Sequence, residues 1–225
     1  MLSSRKEILN KLADNISQYS PILVRGEAGI GKSFFLNELC QKLKERGKIS
    51  DYEIRYSWDI LDDLICSLAD RNMEKWKQDL LSSQVIVIDD FQYLKEKVVI
   101  AEELYKIFCA AHVPIVIATT IPINQENFYS KDMVQFFNEG TNIQLDFLDC
   151  DDVIGILNRQ IKLKELHLSP QAYIWLTQQN ITTLAMVKGI VKTLHLHRNS
   201  DDHYITLSEC QQLITPLILI EKEKK

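Results

Sequence analysis

The sequence predicts an α/β fold: a five-stranded parallel sheet with helices on both faces, followed by a small all-α domain. Three observations carry this. Short apolar runs alternate with amphipathic helical segments up to about residue 148, the pattern of a parallel sheet covered on both sides. One of these runs leads directly into a glycine-rich loop at 26–33 and then into a helix. From residue 150 onward the periodicity is wholly helical.

Residues 3–17 read as an amphipathic helix with Ile8, Leu9, Leu12 and Ile16 on one face. Pro21–Arg25 is an apolar run read as the first strand. After the glycine-rich loop, Leu36, Leu39, Cys40 and Leu43 recur at helical spacing, and Gly47 ends that helix. Tyr52–Tyr56 reads as the second strand, and 58–80 as two polar helices broken near Asp70–Asn72. Val85–Ile88 is a continuous β-branched run, typical of a strand buried on both faces, and Pro114–Ala118 is another. Between them, 97–111 is helical with Ile100, Leu104, Ile107 and Phe108 on one side. A loop and a short helix fill 121–139, and Asn142–Phe147 is the fifth strand. Helices follow at 150–165, 169–178, 181–197 and 206–215, and Ser169-Pro170 is a good helix start. Leu217–Ile220, just after Pro216, reads either as a strand packed on the helical domain or as a partner contact. The expected domains are 1–148 and 149–220, with a frayed tail at 221–225.

Composition narrows the function classes. The chain has 225 residues, 46% apolar and 25% charged, which is ordinary for a globular protein. Its net charge of −5 disfavours general binding to nucleic acid or anionic membranes. Five cysteines without a CxxC pair fit a reducing cytoplasm rather than a disulfide framework or zinc ribbon. The first residues lack a signal-peptide core, and the apolar run at 213–220 is far short of the ~20 residues of a membrane span. A soluble cytoplasmic protein with no membrane partner is expected.

The strongest chemical signal is Gly26, Glu27, Ala28, Gly29, Ile30, Gly31, Lys32 and Ser33, a GxxxxGKS loop between an apolar strand and an amphipathic helix. Three of the chain's 7 glycines fall here, which lets successive N–H groups curl inward around an anion. The following helix adds its positive end. Lys32 is expected on the β/γ-phosphates of ATP or ADP, and the Ser33 hydroxyl on Mg²⁺. Asp89 and Asp90 directly follow the Val85–Ile88 strand. A carboxylate at the end of such a strand holds Mg²⁺ in P-loop NTPases, so Asp89 is assigned to the metal and Asp90 to polarising the attacking water. The separation of Lys32 from Asp89 leaves room for a strand–helix unit, so the two strands are not consecutive in sequence. Thr119 and Thr120 close the next strand. A hydroxyl there is expected to orient the lytic water, and spacing alone does not separate the two.

With these residues in place, the chain resembles the AAA+ family of P-loop ATPases over about 20–215, and within it the ATPase domain of the bacterial replication initiator DnaA and its truncated regulatory relatives. The most specific segment is Val85–Leu94, VIVIDDFQYL, which looks like the initiator's Walker B segment. Ser57–Gln84 matches its two-helix insertion, PIVIATTIP its sensor 1 strand, and Asp151–Pro216 the helical lid. The resemblance implies ATP bound where sheet domain and lid meet, and assembly through neighbouring subunits.

Two arginines of the family pattern are absent. The finger position matches Phe136, and the sensor 2 position matches Thr182, with Lys188 further along. No arginine lies between Arg71 and Arg159. Loss of a finger removes about 10³–10⁵ in turnover where an enzyme depends on one. Nucleotide binding is therefore expected with slow or partner-dependent ATP hydrolysis.

The resemblance implies an accessory protein of DNA replication or its regulation, gated by nucleotide and docking on a protein of the replication machinery. The chain ends short of the initiator's duplex-reading domain, so sequence-specific duplex binding is not expected, and single-stranded DNA contact is expected to be weak. The rival readings are a helicase-loader-type ATPase that borrows a partner's arginine, and a non-hydrolysing, nucleotide-stabilised scaffold. Trp58, Trp76 and Trp175 read as core or interface packing, Phe136 and Phe137 as packing, and Arg71, Lys75 and Lys77 as a solvated basic face.

Overall fold

Strand β1 (Ile22–Arg25) is the first strand of the sheet in chain order. A computed structural model describes residues 2–69, 72–123, 129–198 and 203–222. Contacts divide the chain into two units: Ser3–Ala28 with Lys32–Leu145, and Asp146–Lys225 with the short segment Gly29–Gly31.

In the first unit, α1 (Leu2–Asp14) and α2 (Ile16–Tyr19) precede β1. The single helix expected over 3–17 is broken at Asn15, whose φ of −145° is not helical. Helix α3 (Lys32–Glu45) buries Phe35, Leu36, Leu39, Cys40 and Leu43. It ends on Gly47, whose φ of 65° suits a residue without a Cβ. The Gly47 and Lys48 amides close back onto the carbonyls of Lys44 and Leu43. Then come β2 (Ile54–Tyr56), α4 (Ser57–Ala69), α5 (Met73–Leu81) and β3 (Ile86–Asp89). A 3-10 turn at Phe91–Leu94 leads to α6 (Val98–Ala110), β4 (Ile115–Thr119), α7 (Lys131–Asn138) and β5 (Thr141–Gln144).

The strands form one sheet in the order β2-β3-β4-β1-β5, with every pairing parallel. This is the expected five-stranded parallel α/β sheet, and β4 separates β1 from β3. The buried patterns of β3 and β4, with no exposed position in either, fit inner strands covered on both faces. On one face Ile86, Ile88, Ile115 and Ile117 join Leu23, Phe91, Phe108 and Phe137 in one core. Gly140 precedes β5 because a Cβ there would overlap the Pro21 carbonyl oxygen and ring. The fifth strand ends at Gln144, short of the expected Phe147.

The second unit contains α8 (Cys150–Leu163), β6 (His167–Leu168), α9 (Pro170–Thr177), α10 (Leu184–Leu196), β7 (Tyr204–Ile205) and α11 (Leu207–Lys222). Its core gathers Val153, Leu157, Leu176, Val187, Leu194 and Ile214, among others. Side chains cap the helices: Asp149 accepts from the Asp152 amide, Ser169 from Ala172 and Thr183 from Met186. Two expectations are corrected here. The unit is not wholly helical, because β6 and β7 pair in parallel. Leu217–Ile220 is not a strand, because α11 runs through Pro216 to Lys222. Ile214 and Ile218 are both buried four residues apart, and this shared face carries the helix across the proline. Arg71 and most of the 221–225 tail lie outside the described residues.

Candidate functional site

The C-terminal ends of β1, β3 and β4 bring the candidate residues of the first unit together. β1 stops at Arg25 and α3 begins at Lys32, so the chain turns within six residues. Gly29 and Gly31 take φ of 77° and 108°, conformations that a Cβ disfavours. Lys32 is 6% exposed, and its Nζ donates to the carbonyl oxygens of Gly26 (2.9 Å) and Glu27 (3.0 Å). Burial pushes the ammonium's pKa below its ordinary value, while Asp90, Asp89 and Glu27 push it back up. Ser33 is exposed in the first turn of α3.

Asp89, the last residue of β3, is fully buried. Its Oδ1 accepts from the Asp90 amide at 2.8 Å. Its Oδ2 is buried without a partner in hydrogen-bonding geometry. Burial raises the carboxyl's pKa, the Ser33 hydroxyl and the Asp90 amide lower it, the Asp90 charge raises it, and Lys32 lowers it. A buried carboxylate oxygen lacking a donor, near a serine hydroxyl and an ammonium, is the chemistry of a hard-cation and polyphosphate site.

Asp90 lies in the left-handed region (φ 53°, ψ 41°), where Asp is tolerated better than most residues. Its carbonyl accepts from Ser57 Oγ at 2.5 Å and its Oδ1 from Gln92 Nε2 at 2.8 Å. Gln92 Oε1 in turn accepts from the Thr120 amide at 3.1 Å. A hydrogen-bonded bridge thus joins the end of β3 to the end of β4. The Tyr129 hydroxyl adds a bond to the Phe91 carbonyl at 3.0 Å.

The two threonines sit differently. Thr119 is buried, and its hydroxyl is held in a local turn, accepting from the Ile121 amide (3.2 Å) and facing its carbonyl (3.3 Å). Thr120 is half-buried and tied through its backbone to Gln92.

Ser57 and Gln92 were not among the expected site residues. A serine at a strand–helix junction and a glutamine two residues past an aspartate carry no signal of their own in one sequence. Arg25 is a third: half-buried, opposite Thr119 and Gln144 in the sheet, with its Nε buried and unpartnered.

Phe136 lies on α7, half-buried and stacked on Phe108 at 6.0 Å. In the second unit, the Thr182 carbonyl accepts from the Leu148 amide at 2.9 Å, and Lys188 is exposed on α10. Neither expected arginine position presents a guanidinium.

The family model of the bacterial DnaA ATPase domain matches residues 5–119. The chain is similar to the chromosomal replication initiator protein DnaA of Helicobacter hepaticus, 23% identical over 191 residues, covering 84% of this chain and 41% of the relative. It is also similar to that of Campylobacter jejuni, 24% identical over 225 residues, covering 99% of this chain and 49% of the relative. The chain thus spans about half the length of the curated relatives it matches. Among solved structures, domain III of Thermotoga maritima DnaA superposes with a TM-score of 0.84 at 18% identity, covering 96% of this chain and 92% of that one. Aquifex aeolicus DnaA bound to AMPPCP superposes at 0.73 with 22% identity, covering 85% and 60%. A replication initiator DnaA bound to AMPPCP and single-stranded DNA gives 0.73 at 21% identity, covering 85% and 60%.

Proposed function

Because the chain belongs to the bacterial DnaA ATPase-domain family, we propose that it is an ATP- and ADP-binding accessory protein of DNA replication or its regulation, working through nucleotide-gated contacts with a protein partner. Backbone amides of Gly26–Ser33 hold the phosphates, and Lys32 exchanges its Gly26 and Glu27 carbonyl contacts for β/γ-phosphate oxygens. Ser33 and Asp89 hold Mg²⁺. That ion, when bound, neutralises charge on the phosphate oxygens. Asp90 polarises water, and Thr119 and Thr120 border the γ-phosphate position.

One observation carries this reading: a buried ammonium and a buried carboxylate with an unpartnered oxygen, at the start of α3 and the end of β3. Two opposite charges are costly to bury unless each meets a counterpart, and a magnesium nucleotide supplies both counterparts. The solved relatives' AMPPCP supports the nucleotide part. Hydrolysis is slow, since a phenyl ring packed on Phe108 at the finger position stabilises no phosphate charge.

Thermal unfolding with ATP, ADP and Mg²⁺ tests this. Ligand at 100 times its Kd adds about 2.7 kcal/mol. A Lys32→Ala protein that keeps the full shift excludes the phosphate-loop reading. The packed Phe136 also favours a second reading, a loader-type ATPase that uses a partner's arginine. Phosphate release that rises only when a candidate partner is added supports it.

A further inference from the structure

Beside the candidate site, the first unit holds three aromatic rings together at its surface. Tyr56 stacks on Trp58 with centroids 4.5 Å apart and planes 6° apart. Trp58 meets the ring of Tyr93 edge-on at 5.3 Å and 83°. The three are 36%, 39% and 57% exposed, so of the two expectations for Trp58, core or interface packing, the core one does not hold. Ring–ring contact alone leaves much of this apolar surface in water, which marks an interaction site more often than chance.

The rings are held firmly. Tyr56 ends β2 opposite Asp89, and Trp58 lies in the first turn of α4. Between them Ser57 is fully buried and bonds the Asp90 carbonyl. Tyr93 sits in the 3-10 turn between buried Phe91 and Leu94. A pre-organised platform costs little further ordering when a partner arrives.

The surrounding charge decides what the platform takes. Asp59 and Asp62 are exposed on α4, and the helix carries no lysine or arginine. Asp62 lies one turn from Trp58 on the same face, and Ile65, 54% exposed, continues that stripe. Ring faces and carboxylates both attract cations. A guanidinium also stacks flat on aromatic rings and pairs with carboxylates through two parallel N–H bonds.

We propose that Tyr56, Trp58 and Tyr93, with Asp59 and Asp62, form a docking surface for an arginine-bearing segment of a protein partner. Bases of single-stranded DNA also stack on aromatic platforms, but their phosphates would face the two carboxylates. Lys95 and Lys97, exposed beyond Tyr93 in sequence, make the DNA comparison a necessary arm of the test.

The test is fluorescence anisotropy of labelled probes added to the full chain: an alternating Arg-Gly peptide, its Glu-Gly counterpart and an oligo-dT. The Arg-Gly peptide is expected to bind saturably. Its affinity is expected to fall about tenfold in Trp58→Ala and in the Asp59→Asn/Asp62→Asn pair, with near-normal binding in Trp58→Phe. All these side chains are exposed, and circular dichroism checks that each variant folds. Binding of Arg-Gly unchanged in both the Trp58→Ala and the Asp pair variants overturns the proposal. So does Trp58-dependent binding of oligo-dT without binding of Arg-Gly.

Discussion

Lys32 and Asp89 are both buried, and burial works against the charge on each. Asp89→Asn removes a buried charge whose Oδ2 has no donor. The variant is expected to melt ~2–4 °C higher without ligand, the shift of about 1 kcal/mol in a chain of this size. It is also expected to lose the Mg²⁺-dependent part of ATP binding. A calorimetric scan and a binding titration with and without Mg²⁺ check the two halves separately. A lower melting point in Asp89→Asn would contradict the electrostatic account of this residue. Gln92→Ala removes the bridge from Asp90 to the Thr120 amide. A cost of about 1–2 kcal/mol in denaturant unfolding is expected. The glycines, Lys32 and Asp89 were legible in the sequence because their chemistry is local and spaced along one chain. The Asp90–Gln92–Thr120 bridge was not, because it depends on which strand ends lie side by side.

Among the elements, the sheet was read best. Continuous β-branched runs have few alternatives when helical segments alternate with them, so all five strands and their parallel sense were expected. β6 and β7 escaped because two residues show no period-2 pattern, and only the tertiary fold brings His167–Leu168 beside Tyr204–Ile205. α11 escaped for the opposite reason. Pro216 is a local stop signal, and burial of Ile214 and Ile218 on one face overrides it. Two predictions belong at this scale. Gly140→Ala forces a Cβ against the Pro21 backbone at the entry to β5. A loss of about 1–3 kcal/mol in denaturant midpoint analysis is expected, as for overpacking elsewhere. At the start of α11, Thr206 and Glu209 cap each other, the Thr206 amide donating to Glu209 at 2.8 Å and the Glu209 amide to the Thr206 hydroxyl at 3.3 Å. The Thr206 backbone amide, then its hydroxyl, holds the Glu209 carboxyl below its ordinary 4.5. This stabilisation is present above pH 4.5 and is lost as pH falls through the lowered value. Hydrogen exchange of the first α11 amides is expected to speed up below that pH, and in Glu209→Gln to be fast already at neutral pH.

At the scale of the whole chain, the match to the bacterial DnaA ATPase domain and the sheet order agree, and the arginine pattern is what the proposed function uses to separate nucleotide binding from turnover. Phe136 is packed on Phe108, and Thr182, which the resemblance matches to the sensor 2 position, is not an arginine. The proposed function therefore predicts that binding and turnover separate, with uptake of ATP and ADP and little phosphate release by the protein alone. The most direct measurement is isothermal titration of MgATP and MgADP into the full chain and into Lys32→Ala. The prediction is one nucleotide per chain for the unaltered protein and none for the variant. Absence of uptake by the unaltered protein, or equal uptake by both, would contradict a phosphate-binding role for residues 26–33.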